Sequence, residues 1–305
     1  DHPMLAGALA NQGRALDRLG RYPQAESLLL DALAMQRRLL GDAHPDIAAT
    51  LNNLAIVHTH LDDYAGSADY SRRAYAVWVA QGKPAHPFAL GSRANLAVAL
   101  RELGQLDEAQ AITRDVLAVR IKQLGENSVL VSFTHDQLGI VLRLSGRAGE
   151  AVAEHRRAMT LRRDLADVPA LESAAARTHY ALALHDAGDD NTARIEIDAA
   201  LAALPAQAGD AIAAAQVARS RIAFALDDAE AGCAAADAAL QLRPAVDGAG
   251  AWRHAEAQYA MAACLAARGD DARAAEERRA AHATLVRTRG ETHWLTAMLA
   301  RPDSR

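Results

Sequence analysis

Small and apolar residues recur along the chain in one register, every 42 residues. Leu51, Leu54, Ala55 and His58 sit at i, i+3, i+4 and i+7, the spacing of one buried helical face. The place of Leu54 is taken elsewhere by Gln12, Leu96, Leu138 and Tyr180, and that of Ala55 by Gly13, Ala97, Gly139 and Ala181. Beyond them run Leu16, His58, Leu100, Leu142 and Leu184. A turn follows at Gly20, Asp62, Gly104, Gly146 and Gly188, then a second small residue at Ala25, Ser67, Ala109, Ala151 and Ala193. Several parallel series in unbroken register do not arise by chance, so an internal repeat organises the chain.

Each unit predicts two helices. In the second unit, Pro45 suits a first helical turn, where its missing N–H costs nothing. Asp62-Asp63 breaks that helix. A second runs from near Tyr64 to about Ala80, with Ser67, Ser71, Ala74, Tyr75 and Trp78 inward, and Gln81-Gly82-Lys83-Pro84 ends it. Where the two helices cross, Ala25 or Ala109 must face Gly13 or Ala97 at short interaxial distance. Past residue 200 the register weakens. Arg221-Ile222-Ala223 still fits, and the turn at Asp227-Asp228 then loses three residues, because Asp198-Ala199-Ala200-Leu201 recurs as Asp237-Ala238-Ala239-Leu240. A last unit runs from about Trp252 through Gly269 to Arg289, and Gly290-Glu291-Thr292-His293 echoes Gly41-Asp42-Ala43-His44. The units are about 2–43, 44–85, 86–127, 128–169, 170–209, 210–248 and 249–290, with a capping helix in 291–305. Connections near Leu204–Asp210 and Pro244–Gly250 read as joints between repeats.

Composition narrows the class. Hydrophobic residues are 51% of the chain but aromatics only 4%, and alanine is abundant. That suits close-packed helices and argues against a β-sandwich or barrel. No uncharged apolar run is long enough to span a membrane. A net charge of -5 offers no basic field for nucleic acid. Of 33 basic residues only Lys83 and Lys122 are lysine, a bias that points to a GC-rich bacterial genome. Cys233 and Cys264 form no CxxC, which excludes a disulfide framework, predicts two inert buried thiols and places the chain in the reducing cytoplasm. The opening at Asp1-His2-Pro3, inside the repeated pattern, reads as a piece of a longer protein.

Enzyme chemistry finds little support. His58 and His60 point to different faces, and His179 and His185 are poorly spaced for one ion. Asp62-Asp63, Asp189-Asp190, Asp227-Asp228 and Asp270-Asp271 track the repeat and read as turn acids. No phosphate loop is credible without a strand, so neither cofactor nor metal is expected.

The hairpin with small-residue crossings resembles the tetratricopeptide repeat, whose common form has 34 residues. Leu40-Gly41-Asp42-Ala43-His44-Pro45 and Leu51-Asn52-Asn53-Leu54-Ala55 are similar to the longer kinesin light chain-type subclass. The resemblance covers the whole chain, strongly over 1–165 and weakly over 205–290. Asp62 departs from the turn Gly, and Gln137, His179 and Arg221 from the repeated Asn. It implies an all-α solenoid of about seven hairpins, a right-handed superhelix whose first helices line a concave groove. Helical geometry then places Asn11, Arg14 and Arg18, Asn52, Asn53 and His60, Asn95 and Arg101, and Gln137 and Arg143 in or beside that groove. Amides there would hydrogen-bond a peptide backbone, and arginines would favour an acidic partner. The repeated Asn could equally bond the neighbouring repeat and set the superhelix pitch. Two functions remain: a peptide- or protein-binding scaffold, or the non-catalytic docking region of a larger signalling protein, since such arrays resemble the C-terminal parts of bacterial serine/threonine kinases. Self-association through a terminal repeat is a third.

Overall fold

The computed structural model describes residues 2–163, 168–244, 250–291 and 293–300. Parts of the fourth and sixth units, most of the connection expected after Pro244, Thr292 and the tail past residue 300 lie outside them. Among the described residues there are fifteen α-helices and no strand. They are α1 Pro3–Arg18, α2 Tyr22–Leu40, α3 Pro45–His60, α4 Tyr64–Ala80, α5 Pro87–Glu102, α6 Leu106–Leu124, α7 Val129–Leu144 and α8 Ala148–Arg163. Then come α9 Ala170–Asp186, α10 Asp190–Ala203, α11 Gly209–Ala225, α12 Ala229–Leu242, α13 Ala251–Ala267, α14 Asp271–Arg289 and α15 Trp294–Ala300. The bounds of α3 and α4 are those the periodicity predicts. Two compact units divide the chain, residues 1–119 and 120–305.

Local chemistry explains the ends. His2, His44 and His86 are N-caps: each Nδ1 accepts from the backbone N–H two residues on, at 3.2, 3.2 and 3.3 Å. Each is followed by Pro at the first helical position. The His-Pro pair is therefore a start signal, with His in the place usually held by Ser or Asp. His293 caps α15 in the same way. The acidic pairs behave as turns. Asp62 and Asp227 adopt the left-handed conformation (φ 60° and 57°) that glycine takes in the other turns. Asp63, Asp189, Asp228 and Asp270 then cap the next helix by accepting a backbone N–H.

In the first unit the core is a seam between hairpins: Leu29 and Leu33 of α2, Ile47, Leu51 and Leu54 of α3, and Trp78 of α4. The second unit has several smaller seams. Tyr180, Leu184, Ile197 and Ile222 form one, and Ala255, Leu285, Leu295 and Leu299 join α13, α14 and α15 in another, against Trp252 and Trp294. The crossing expected between Gly13 and Ala25 is present. A Cβ on Gly13 would stand 2.7 Å from Leu29 Cγ and 3.2 Å from the Ala25 carbonyl oxygen.

The cysteines overturn the expectation. Cys233 on α12 and Cys264 on α13 are joined in a disulfide, with Cα atoms 4.9 Å apart. A separation of 31 residues carries one cysteine from the second helix of a hairpin to the first helix of the next, and those helices pack side by side. Neither is a free thiol, so the argument from reduced cysteines to a reducing compartment loses its basis. No helix among the described residues is long and apolar enough to cross a membrane.

Candidate functional site

The first helices of the hairpins put half-exposed polar side chains on one side of each unit. In the first unit these come from α1, α3 and α5. Asn11, Arg14 and Arg18 are exposed on α1, and Arg14 donates to Asn11 Oδ1 at 3.3 Å. Asn52 and Asn53 are half-buried on α3. Asn52 is committed: its Oδ1 accepts from Asn95 Nδ2 at 3.0 Å and from Ser92 Oγ at 3.3 Å, both on α5. His60 donates to Asp17 Oδ1 at 2.6 Å, which ties α3 to α1. Arg101 pairs with its neighbour Glu102. Asn53, by contrast, makes no hydrogen bond among the described residues, and Arg18 makes no ion pair.

In the second unit the same side is formed by α7, α9 and α11. Gln137 is half-buried there. Arg143 donates to Asp186 Oδ2 at 2.9 Å, and Arg221 approaches the other oxygen of Asp186 at 3.7 Å. Burial lowers the proton affinity of the Arg143 guanidinium, while the Asp186 charge works the other way. Deeper in the unit, Asp136 is buried against three bases: His155 Nδ1 at 2.9 Å, His179 Nδ1 at 3.4 Å and Arg162 Nη2 at 3.8 Å. Burial alone would raise its carboxyl pKa, but the charges and hydrogen bonds of His179 and His155 more than offset it and hold it well below the usual carboxylate range. His155 has no exposed surface, and burial lowers its proton affinity in spite of Asp136.

One rule unites these contacts. Asp17 with His60, Asn52 with Asn95, Asp136 with His179 and Arg143 with Asp186 are each 43 residues apart, one repeat plus one residue. They join successive first helices within a unit. The repeated Asn thus differs between repeats: Asn95 bonds the preceding first helix, and Asn53 makes no hydrogen bond among the described residues. The pairings of Asp136 and Asp186 do not show in the repeat register because their partners lie one position off it. No cluster of three or more His, Cys, Asp or Glu side chains among the described residues is placed to hold a metal ion.

The model of the tetratricopeptide repeat family matches residues 4–78 and 89–164. The chain is a tetratricopeptide-repeat protein. Solved structures agree with this repeat fold. BtubC (BKLC) from P. vanneervenii shares 20% identity with it over 66% of this chain and 80% of that one, with a TM-score of 0.58. A putative kinesin light chain of Podospora anserina with nearly identical repeats shares 20% identity over 67% and 96% of the two chains, with a TM-score of 0.56. NprR in complex with its cognate peptide NprX shares 12% identity over 98% and 86%, with a TM-score of 0.70. No curated protein matches the tetratricopeptide-repeat chain in sequence. At these identities the likeness to solved structures shows the all-α, solenoid-type fold.

Proposed function

We propose that the chain is a non-catalytic interaction scaffold whose first helices hold an extended peptide or a segment of a protein partner. The observation that carries this reading is Asn53. Its amide is half-buried on α3 and makes no hydrogen bond among the described residues, whereas its neighbour Asn52 is bonded to Asn95 of the next repeat. An amide in that position offers a peptide backbone both a donor and an acceptor. The peptide-bound NprR supports the reading as a protein of the same fold with a peptide partner. The partner is acidic, because Arg14 and Arg18 have no carboxylate against them among the described residues, whereas Arg101 and Arg143 do. Within each unit the hairpins act as successive repeats of an interaction region. The docking region of a larger signalling protein would use the same faces, and kinase motifs encoded upstream of Asp1 would identify it. Self-association belongs to a different surface.

Panning the folded protein against phage-displayed random peptides tests this. The expected result is an acidic consensus whose binding falls at least tenfold in Asn53→Ala and in Arg18→Ala, with melting temperatures unchanged. No enriched consensus, or peptides that bind Asn53→Ala as well as the parent, would overturn it.

A further inference from the structure

α9 and α11 begin and end 39 residues apart, and the turn at Asp227 takes the place of the one at Gly188. Four residues before such a turn, α5, α7, α9 and α13 carry a buried leucine: Leu100, Leu142, Leu184 and Leu265. On α11 this residue is Ala223. Eight residues before the turn stand the buried Leu96, Leu138 and Tyr180. On α11 the same place holds Arg219. The facing second helix changes too. Val152 of α8 packs into the seam with Tyr180 and Leu184, whereas α10 has Arg194 at the matching position. Two arginines and an alanine thus replace three large apolar groups at one seam.

The result is a hollow of about 370 Å³ between α10, α11 and the start of α12. Ala223, Ala231 and the exposed Ile195 give it apolar walls. It is not slack in the core. Phe224 stands where α5, α7 and α9 carry Arg101, Arg143 and His185. Its ring fills the helix crossing, since a Cβ on Gly232 would lie 2.9 Å from Phe224 Cζ. The hollow therefore opens beside a packed crossing.

Four charged side chains edge it. Arg219 donates to Asp198 Oδ1 at 2.8 Å, and these two satisfy each other. Asp228 Oδ1 accepts from the Ala231 N–H at 3.1 Å as the cap of α12, and its second oxygen has no partner among the described residues. Arg194 makes no ion pair among them either. One free cation and one free anion therefore share the hollow without pairing with each other, next to an apolar wall. A simple anion would answer Arg194 and be repelled by Asp228, and a simple cation the reverse. A zwitterion whose α-carbon also bears an apolar side chain answers all three features.

We propose that this hollow binds a free α-amino acid with an aliphatic side chain. Arg194 donates to its carboxylate, its ammonium donates to Asp228, and its side chain lies on Ala223 and Ala231. The volume is at the small end for ligand pockets, so the affinity is weak. The site shares no residue with the peptide-binding reading and is independent of it.

Titration with L-leucine, followed by the backbone amide signals of isotope-labelled protein, tests this. The range extends to about 10 mM, well above a Kd of about 1 mM. The expected result is saturable shifts in the amides of α10, α11 and α12 around the hollow. Isocaproate, which lacks the ammonium, and isoamylamine, which lacks the carboxylate, should bind at least tenfold more weakly. Leucine should lose at least tenfold in affinity for Arg194→Gln and for Asp228→Asn, which keeps a capping side chain. The same loss is expected for Ala223→Leu, which restores the leucine of the other repeats and fills the hollow. Far-UV circular dichroism checks that each variant is folded, and Arg194 is exposed, so Arg194→Gln keeps the test decisive whatever Ala223→Leu does to folding. No shift over the whole range overturns the proposal, as do shifts confined to other helices. So does isocaproate that binds as well as leucine, the mark of a simple anion site, or an affinity indifferent to Arg194→Gln.

Discussion

Gly139→Ala is the sharpest test of how the hairpins are packed. A Cβ at this position would lie 2.6 Å from His155 Nε2, 2.7 Å from Cε1 and 2.8 Å from Cδ2. The ring has no free space, since His155 is fully buried. It must therefore move, and the 2.9 Å hydrogen bond to Asp136 goes with it. Overpacking a core costs about 1–3 kcal/mol. A hydrogen bond to a charged group contributes about 1.5–3 kcal/mol. Replacing Gly by Ala within a helix returns roughly 1 kcal/mol. The net expectation is a loss of about 3 kcal/mol at the α7–α8 hairpin, the midpoint of these ranges. Repeat arrays need not unfold in one step, so the local opening energy of α7 and α8 amides by hydrogen exchange is the appropriate readout. The third hairpin supplies a control, because it pairs Ala97 with Thr113 at the same two positions. In a His155→Thr background the clash is gone, and Gly139→Ala should then be neutral or stabilising. If Gly139→Ala costs as much with Thr at 155 as with His, steric conflict with the ring is not the cause and the packing argument fails.

Two further outcomes follow from the second unit. Cys233→Ser, or reduction with dithiothreitol, opens a loop spanning 31 residues, and chain-entropy arithmetic puts the loss at about 3–4 kcal/mol; melting in paired oxidised and reduced samples, with non-reducing peptide mapping of the bond, checks it. The buried acid–base cluster makes stability fall with pH in two stages. Because burial lowers the proton affinity of folded His155, the unfolded chain takes up the proton first as pH drops below about 6.5, and stability is lost from there. Asp136, held low in the folded state, contributes stability that is present above the unfolded carboxyl pKa of about 4 and lost only below it. Urea midpoints between neutral pH and about pH 5 should therefore fall for the parent and fall less for His155→Thr; equal slopes would rule out His155 as the titrating group.

The repeat itself was open to reading because each of its signals is local. His44-Pro45 and Asp63 are start signals for the helices they precede, and a turn residue with positive φ is marked by glycine in most units and by aspartate at Asp62 and Asp227. Small residues at Gly13 and Ala25 announce a close crossing because only a missing side chain permits one. Helix bounds, hairpin order and fold class depend on neighbours a few residues apart, and a periodic sequence displays those directly.

Contacts between helices of different repeats are another matter. The commitment of Asn95 to Asn52, of His60 to Asp17 and of Arg143 to Asp186 depends on the stagger of successive first helices, which shifts partners one residue off the register. No single unit shows that offset. Whether a repeated Asn bonds a neighbouring repeat, and whether two cysteines 31 residues apart meet, was decided only when the helices were stacked. The sequence by itself determined which segments are helical and which face of each is buried, because those follow from backbone capping and side-chain periodicity. The tertiary structure alone decided which polar groups remain free, because a side chain is free only when no helix beside it supplies a partner.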